Sequence, residues 1–270
     1  MPTPESVAQF YDQFTPFFEI VWGESIHVGY WPDDSTGGSI AEAQVRLTEI
    51  MVGKAQVREG QHMLDVGCGT GGPAIHLSRA TGCRVTGVSV SPKQVEKANH
   101  QAARAGLGER LNFQVANAMA LPFPDASTDA AWAFESLFHM SDPGRALREM
   151  HRCIKPGGQL LVANFITTQP MSPEEEQFYR QVFHAGYLFS LKDHQELIRS
   201  SGFELEETMD ISSNTARTTP LTREALNARM DEIRQKLPGI PLEMLDTVWR
   251  QAIDISTRCV GYALFRARRR

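Results

Sequence analysis

The sequence predicts an α/β fold, a mostly parallel sheet with helices on both faces and a helical lid over one end. Three observations carry this. Between about Gln61 and Phe165, short apolar runs alternate with stretches of helical period, the pattern of repeated βαβ units. A glycine-rich turn, Gly67-Cys68-Gly69-Thr70-Gly71-Gly72, joins the first apolar run to the first helical stretch. Outside this unit the chain is helix-forming and, near its start, aromatic. Ligands of open α/β sheets bind beyond the carboxyl ends of the strands, so such segments are natural covers for the crevice.

The elements follow in order. His62 to Val66 reads as the first strand, and Pro73 opens the helix after it, since proline suits a first helical position. Arg84 to Val90 reads as the second strand, followed by Ser91 as cap and Pro92 as first residue of a helix carrying Val95, Ala98, Ala102 and Ala105 on one face. Gly106 is placed to end it. Leu111 to Val115 and Thr128 to Phe134 give strands three and four. A helix over Ala146 to Ile154 and the Pro156-Gly157-Gly158 turn lead into a fifth strand, Gln159 to Phe165. A late strand near Phe203 to Ile211 and a final one, Cys259 to Arg266, bring the count to seven. The expected organisation is a single domain: a helical cover over 1–55, a core over 56–212, a helical lid over 213–258, and a last strand with a basic tail over 259–270.

Bulk properties exclude several classes. The chain of 270 residues is 41% apolar and 22% charged, and no apolar stretch approaches the roughly 20 residues of a membrane span. No membrane partner is expected. Met-Pro-Thr-Pro-Glu-Ser at the start lacks the basic leader and apolar core of a secretory signal, so a cytoplasmic location is expected. Cys68, Cys83, Cys153 and Cys259 are scattered without paired spacing, which predicts neither disulfides nor a metal site. A formal charge of −5 weighs against nucleic acid as a partner. The arginines at 266, 268, 269 and 270 read as a solvated terminus. Monomer and homodimer both remain open.

The glycine turn alone is ambiguous. Gly67-x-Gly69-x-x-Gly72 satisfies the dinucleotide fingerprint, which would make the chain a nicotinamide- or flavin-dependent oxidoreductase. Two features oppose that. Asp65 stands just before the glycines, where a carboxylate would repel a pyrophosphate. No acid ends strand two, where a nicotinamide enzyme needs one for the ribose hydroxyls; the stretch reads Gly87-Val88-Ser89-Val90-Ser91. S-adenosyl-L-methionine carries an ammonium and a sulfonium in place of phosphates, and it suits a carboxylate at that turn.

The segment Leu64 to Phe165 resembles the core of the class I S-adenosylmethionine-dependent methyltransferases, a Rossmann-like sandwich. Asp65 to Gly71 resembles the family's first motif, and Gln114-Val115-Ala116-Asn117-Ala118 with Asp129-Ala130-Ala131-Trp132 its adenine-binding and fourth-strand motifs. Ile154-Lys155-Pro156-Gly157-Gly158 resembles the motif before strand five. More narrowly, His27-Val28-Gly29-Tyr30-Trp31, Gly87 to Ser91 with Gln94, and Glu135-Ser136-Leu137-Phe138-His139-Met140 resemble the natural-product group that includes the rebeccamycin sugar O-methyltransferase. The resemblance implies that Gly67 and Gly69 face the methionine part, Ser89 and Gln94 the ribose, and Asn117 and Ala118 the adenine edge. It also places Tyr30 and Trp31 beside the sulfonium, which an aromatic face favours. Each has a plainer alternative: Asn117 as a turn residue, Gln94 as an exposed helix position, Ser89 as a buried hydroxyl, Tyr30 and Trp31 as core packing.

The expected activity is methyl transfer to a small-molecule acceptor in natural-product tailoring. Most of the rate can come from holding two substrates in register, but a hydroxyl acceptor also needs a base. His139, just after strand four, is the candidate base, with Glu135 to orient it or touch the acceptor. Tyr11, Phe14, Phe17, Phe18 and Trp22 are candidates for an apolar pocket, although their helical spacing favours plain packing for most of them. Rebeccamycin-type enzymes show paired histidines here and an aspartate one strand later; this chain has Phe138-His139 and Asn164. Without that dyad the sequence leans toward a carbon or nitrogen acceptor on an aromatic heterocycle, with a sugar or phenol hydroxyl as the alternative. A non-catalytic cofactor-binding protein is the remaining rival.

Overall fold

The computed structural model describes residues 1–32, 37–238 and 242–270. Residues 33–36 of the expected cover and 239–241 of the expected lid lie outside the described residues. Seven strands form one sheet in the order β3-β2-β1-β4-β5-β7-β6. They are β1 (His62–Val66), β2 (Arg84–Ser89), β3 (Leu111–Val115), β4 (Thr128–Phe134), β5 (Ile154–Thr167), β6 (Phe203–Asp210) and β7 (Val260–Arg269). All neighbours are parallel except at β7, which runs antiparallel to both β5 and β6. The order reverses between β1 and β4, and this switch point opens a crevice at their carboxyl ends.

Helices α1 (Pro4–Trp22), α2 (Ile40–Ala55), α3 (Gly72–Thr81), α4 (Pro92–Arg104) and α5 (Pro143–Cys153) come first along the chain. Then follow α6 (Pro173–Val182), α7 (Leu191–Ser200), α8 (Ser212–Thr215), α9 (Thr218–Ala228), α10 (Met230–Lys236) and α11 (Leu242–Cys259). The crossover helices start as their residues require. Ser91 Oγ accepts from the Gln94 amide to cap α4, and Asp142 Oδ1 accepts from that of Arg145 to cap α5 with Pro143 as its first residue. That cap starts α5 three residues before the expected Ala146.

One face of the sheet buries Met63, Val85, Trp132 and Leu161 under α2, α3 and α4; the other buries Leu64, Ala131, Leu160 and Phe265 against α5 and α7. The expected cover and lid meet each other: Phe17, Phe18 and Val21 of α1 pack with Leu226, Ile233 and Trp249 into one apolar cluster. Phe17 therefore serves the packing of the lid and not a pocket.

The basic end is not a free tail. Strand β7 continues to Arg269, and its arginines pair across the sheet with β6: Arg266 with Glu206 and Glu207, Arg268 with Glu206, Arg270 with Glu204. Among the described residues no helix is long and apolar enough to cross a membrane, and no cluster of metal-ligating side chains occurs.

Gly87 lies in β2 directly beneath the glycine turn. A Cβ there would overlap the Phe113 ring and crowd Cys68. Gly87→Ala is expected to destabilise the fold by about 1–3 kcal/mol, read as a lower midpoint in denaturant at unchanged slope.

Candidate active site

Strand β1 leaves the sheet through Gly67 at φ +84, then Gly69 at φ +52 and Gly71 at φ +85, conformations that glycine adopts without strain. The turn is tied to its neighbours. The amides of Gly67 and Cys68 donate to Val88 O, and Ser136 Oγ donates to Val66 O at 2.6 Å. A Cβ at Gly67 would overlap the Ser136 side chain, whereas one at Gly69 would stand in open space. Gly69 thus borders a cavity that a ligand can enter.

That first cavity, about 1060 Å³ and partly open to solvent, gathers the turn, the end of β2 and the start of the segment after β3. Asp65, Gly67, Gly69, Ser89, Gln94, Asn117, Ala118, Glu135 and His139 all line it, so nine of the ten expected site residues come together. Ser89 Oγ donates to Gln94 Oε1 at 2.9 Å, which joins the expected ribose pair. Asn117 Oδ1 accepts from the Met119 amide at 2.9 Å and closes a turn, and its amide group keeps two donors where a carboxylate would have none. Here the turn reading and the ligand reading are compatible.

Tyr30 is the exception: it stands apart from the other nine. Its amide donates to Ala43 O, its carbonyl accepts from Arg46, and Gly29 packs so closely on Ala43 that the strip is pinned to α2. Its side chain consequently packs on the core and borders neither cavity among the described residues. Trp31 is likewise buried, donating to Thr218 Oγ1.

A second cavity of about 1010 Å³ lies beyond the first, between α1, α6, α9 and α11. Phe10, Phe18, Trp22, Phe165, Phe183 and Trp249 give it aromatic walls. Phe14 packs behind them on the lid cluster. Five residues border both cavities: Tyr11, Ile26, His27, Glu135 and His139. They form the wall common to both cavities.

The chemistry on this wall is defined by burial. His139 Nδ1 donates to the carbonyl of His184 at 3.1 Å, which leaves Nε2 as the lone-pair nitrogen; the Tyr11 hydroxyl donates to it at 2.6 Å. Burial pushes His139 down to about 4 and keeps it neutral, and it lifts Tyr11 well above the ordinary phenol range. Phe138 closes one side with its ring centroid 3.9 Å from that of His139. Glu135 sits at φ +50, a left-handed backbone rare for a side chain of its kind, and accepts from the Val28 amide at 2.9 Å. Burial pushes it up to about 8. Asp65 is pushed up to about 7 for the same reason, with only the Trp132 indole offsetting it.

Asn164 does not belong to this site. Along β5 the side chains alternate, so that Phe165 faces the second cavity and Asn164 faces α7, where its amide donates to His194 Nε2 at 3.0 Å. The substitution of an aspartate there does not touch His139. Sequence reasoning missed His27 and His184, and gave Tyr11 no chemical role. Tyr11 is 128 positions from His139, and no local pattern links them.

A cationic nucleoside ligand fits these groups. An isolated buried carboxyl at Asp65 gains a counterion from an ammonium or sulfonium, whereas a pyrophosphate would meet no cation among the described lining residues. Residues 64–162 match the methyltransferase-domain family model. The chain is 34% identical over 269 residues to (+)-O-methylkolavelool synthase of Herpetosiphon aurantiacus, covering 100% of this chain and 95% of that protein. It is 36% identical over 272 residues to the 27-O-demethylrifamycin SV methyltransferase of Amycolatopsis mediterranei, covering 99% and 98%. The crystal structure of the cyclase SpnF superposes with a TM-score of 0.86 at 34% identity, covering 99% and 97%.

The buried groups set the pH response of the ligand-free protein. Between about pH 4.5 and 6.5 the carboxyls, raised on folding, and His27 and His139, lowered to about 4, pull in opposite directions. Between about pH 6.5 and 8.5 Asp65 and Glu135 bind more protons folded than unfolded, so stability falls as pH rises through about 7 and 8. The expected loss is about 2 kcal/mol between pH 6.5 and 8.5, measured by denaturant titration, and Asp65→Asn should remove part of it.

Proposed function

The chain belongs to the class I S-adenosylmethionine-dependent methyltransferases of the natural-product tailoring type, and from that premise we propose that it methylates a hydroxyl of its acceptor with His139 as general base. One observation carries the reading: His139 Nε2, on the wall common to both cavities, already accepts a hydrogen bond from a hydroxyl, that of Tyr11. An acceptor hydroxyl entering from the aromatic cavity takes the place of Tyr11 on the same lone pair. This departs from the carbon or nitrogen acceptor favoured by the sequence, because half of that argument rested on Asn164, which faces α7. The two relatives named above carry O-methylation in their names and agree with a hydroxyl.

S-adenosylmethionine, the cofactor, supplies an electrophilic methyl group on a good leaving group. In our reading Asp65 balances its positive charge, and Gly67 and Gly69 let the methionine part approach the backbone. Ser89 with Gln94 holds the ribose, and Asn117 with Ala118 the adenine edge. As the acceptor oxygen bonds to carbon its proton becomes strongly acidic, so a histidine held near 4 suffices to take it up. The His184 carbonyl keeps Nδ1 protonated, so that Nε2 presents the lone pair that takes up the proton. Glu135 stays neutral at pH 7, unable to compete as a base.

Incubation with labelled cofactor and hydroxylated polyketide or terpenoid extracts should give products heavier by one methyl in place of one hydrogen. A product of unchanged mass would instead support cyclisation, the activity in the name of SpnF. His139→Ala should lower turnover by about 10²-fold or more with cofactor affinity intact, while Tyr11→Phe should stay within about threefold. Equal turnover in His139→Ala and wild type would remove the base assignment.

The cofactor step has its own pH signature. A cationic ligand prefers the ionised Asp65, so cofactor affinity should weaken about tenfold per unit as pH falls below about 7. Calorimetry at pH 5.5, 6.5 and 7.5 checks this, and Asp65→Asn should bind weakly at every pH.

A further inference from the structure

The second cavity is large, aromatic and uncharged. Among its described lining residues there is no Lys, Arg or Asp. Its ionisable groups are Glu135, His27, His139 and three tyrosines. Burial drives Glu135 up and both histidines down, each toward its neutral form. The hydroxyls facing Glu135 are those of Tyr11, Tyr179 and Tyr262, from α1, α6 and β7, and none brings a positive charge.

Several polar groups on this lining are already engaged by the protein. Thr222 Oγ1 accepts from the Trp22 indole at 2.8 Å and donates to Thr218 O at 2.9 Å. Thr218 Oγ1 accepts from the Gly29 amide at 3.0 Å and the Trp31 indole at 3.2 Å. Ser256 Oγ donates to the Tyr179 hydroxyl at 3.3 Å. A polar or charged guest would lose its hydration and find few partners in return. An apolar guest instead meets the ring faces of Phe10, Phe18, Trp22, Phe165, Phe183 and Trp249. A compact ammonium cage is a poor description, because such cages close rings around one small cation.

We propose that this cavity admits only uncharged, largely hydrocarbon acceptors, and excludes phosphorylated, sulfated, carboxylate or ammonium-bearing compounds by the cost of stripping their water. The proposal rests on the second cavity being the acceptor site, as in the function proposed above, and deepens it to a substrate class. It concerns which molecules enter and not what happens to them, so it can fail while methyl transfer stands, and the reverse.

Two dyes with one skeleton make the test. N-phenyl-1-naphthylamine is neutral; 1-anilinonaphthalene-8-sulfonate adds a sulfonate to the same rings. Trp22 and Trp249 stand in the cavity wall with ring centroids 5.8 Å apart, so energy transfer from tryptophan reports dye inside it. The full-length protein, loaded with S-adenosylhomocysteine to fill the first cavity, should bind the neutral dye at least about tenfold more tightly than the sulfonate and than the cationic dye thioflavin T. Thr219→Arg, which brings a cation to the wall, should raise sulfonate affinity about tenfold or more while leaving thioflavin T excluded. Equal or tighter binding of either charged dye to the wild type, or no tryptophan-sensitised binding of the neutral dye, would overturn the proposal. The wild-type comparison decides the matter even if Thr219→Arg does not fold.

Discussion

The active crevice depends on a contact between two turns. Gly67 leaves β1 with positive φ and presses on Ser136, which follows Glu135 at the end of β4, while Ser136 Oγ donates back to Val66 O. Any side chain at 67 would force these loops apart. Because they are the two strands flanking the reversal of sheet order, their spacing sets the width of the crevice. The Glu135 amide adds a third anchor by donating to Ala163 O of β5. The strained φ of Glu135 is thereby held from three sides, which is how an unfavourable backbone conformation persists in a folded chain.

Two buried carboxyls then divide the electrostatics of the site. Asp65 and Glu135 both resist ionisation because both lie in a low-dielectric interior without a neighbouring cation. Their surroundings differ in what a ligand can change. Asp65 borders only the first cavity, and under the proposed function it would gain a counterion from the cationic cofactor there. Glu135 borders both cavities and already accepts from Val28, so an uncharged acceptor leaves it neutral. The wall between the two cavities therefore holds one acid and one base, both pushed by burial toward their neutral forms.

The sheet and the glycine turn were legible because their signals are local. Alternation of apolar runs with helical stretches predicted the seven strands, and caps such as Ser91-Pro92 marked where a helix begins. The boundary errors have local causes as well: β5 starts at Ile154 because the chain pairs with Thr128 before the bulge, and β7 reaches Arg269 because Glu204 and Glu206 neutralise its end. The grouping of Asp65, Gly67, Gly69, Ser89, Gln94, Asn117 and Ala118 around one cavity was legible because they lie at or just after the ends of three successive strands, whereas the contact of Gly29 with Ala43 that sets Tyr30 apart is not a pattern in the sequence. Asn164 was misread although the needed clue was present: Phe165 is the next residue, and neighbours in a strand point to opposite faces. The Tyr11–His139 bond joins residues from opposite ends of the core and carried no such clue.

This difference in legibility reflects how the two cavities are made. The first is built mainly from consecutive turns after β1, β2, β3 and β4, where backbone geometry and a few polar side chains fix one cofactor. The second borrows Phe18 from α1, Phe183 from the end of α6, Thr222 from α9 and Trp249 from α11, segments that pack on one another and hardly on the glycine turn. Their side chains can change without moving Asp65, Gly67 or Ser136. Helix α1 spans both: Val7 borders the first cavity, Phe18 the aromatic one, and Tyr11 both. A single helix thus lines both cavities, and its one hydroxyl on the shared wall occupies the lone pair on which, in the proposed function, an acceptor hydroxyl would settle.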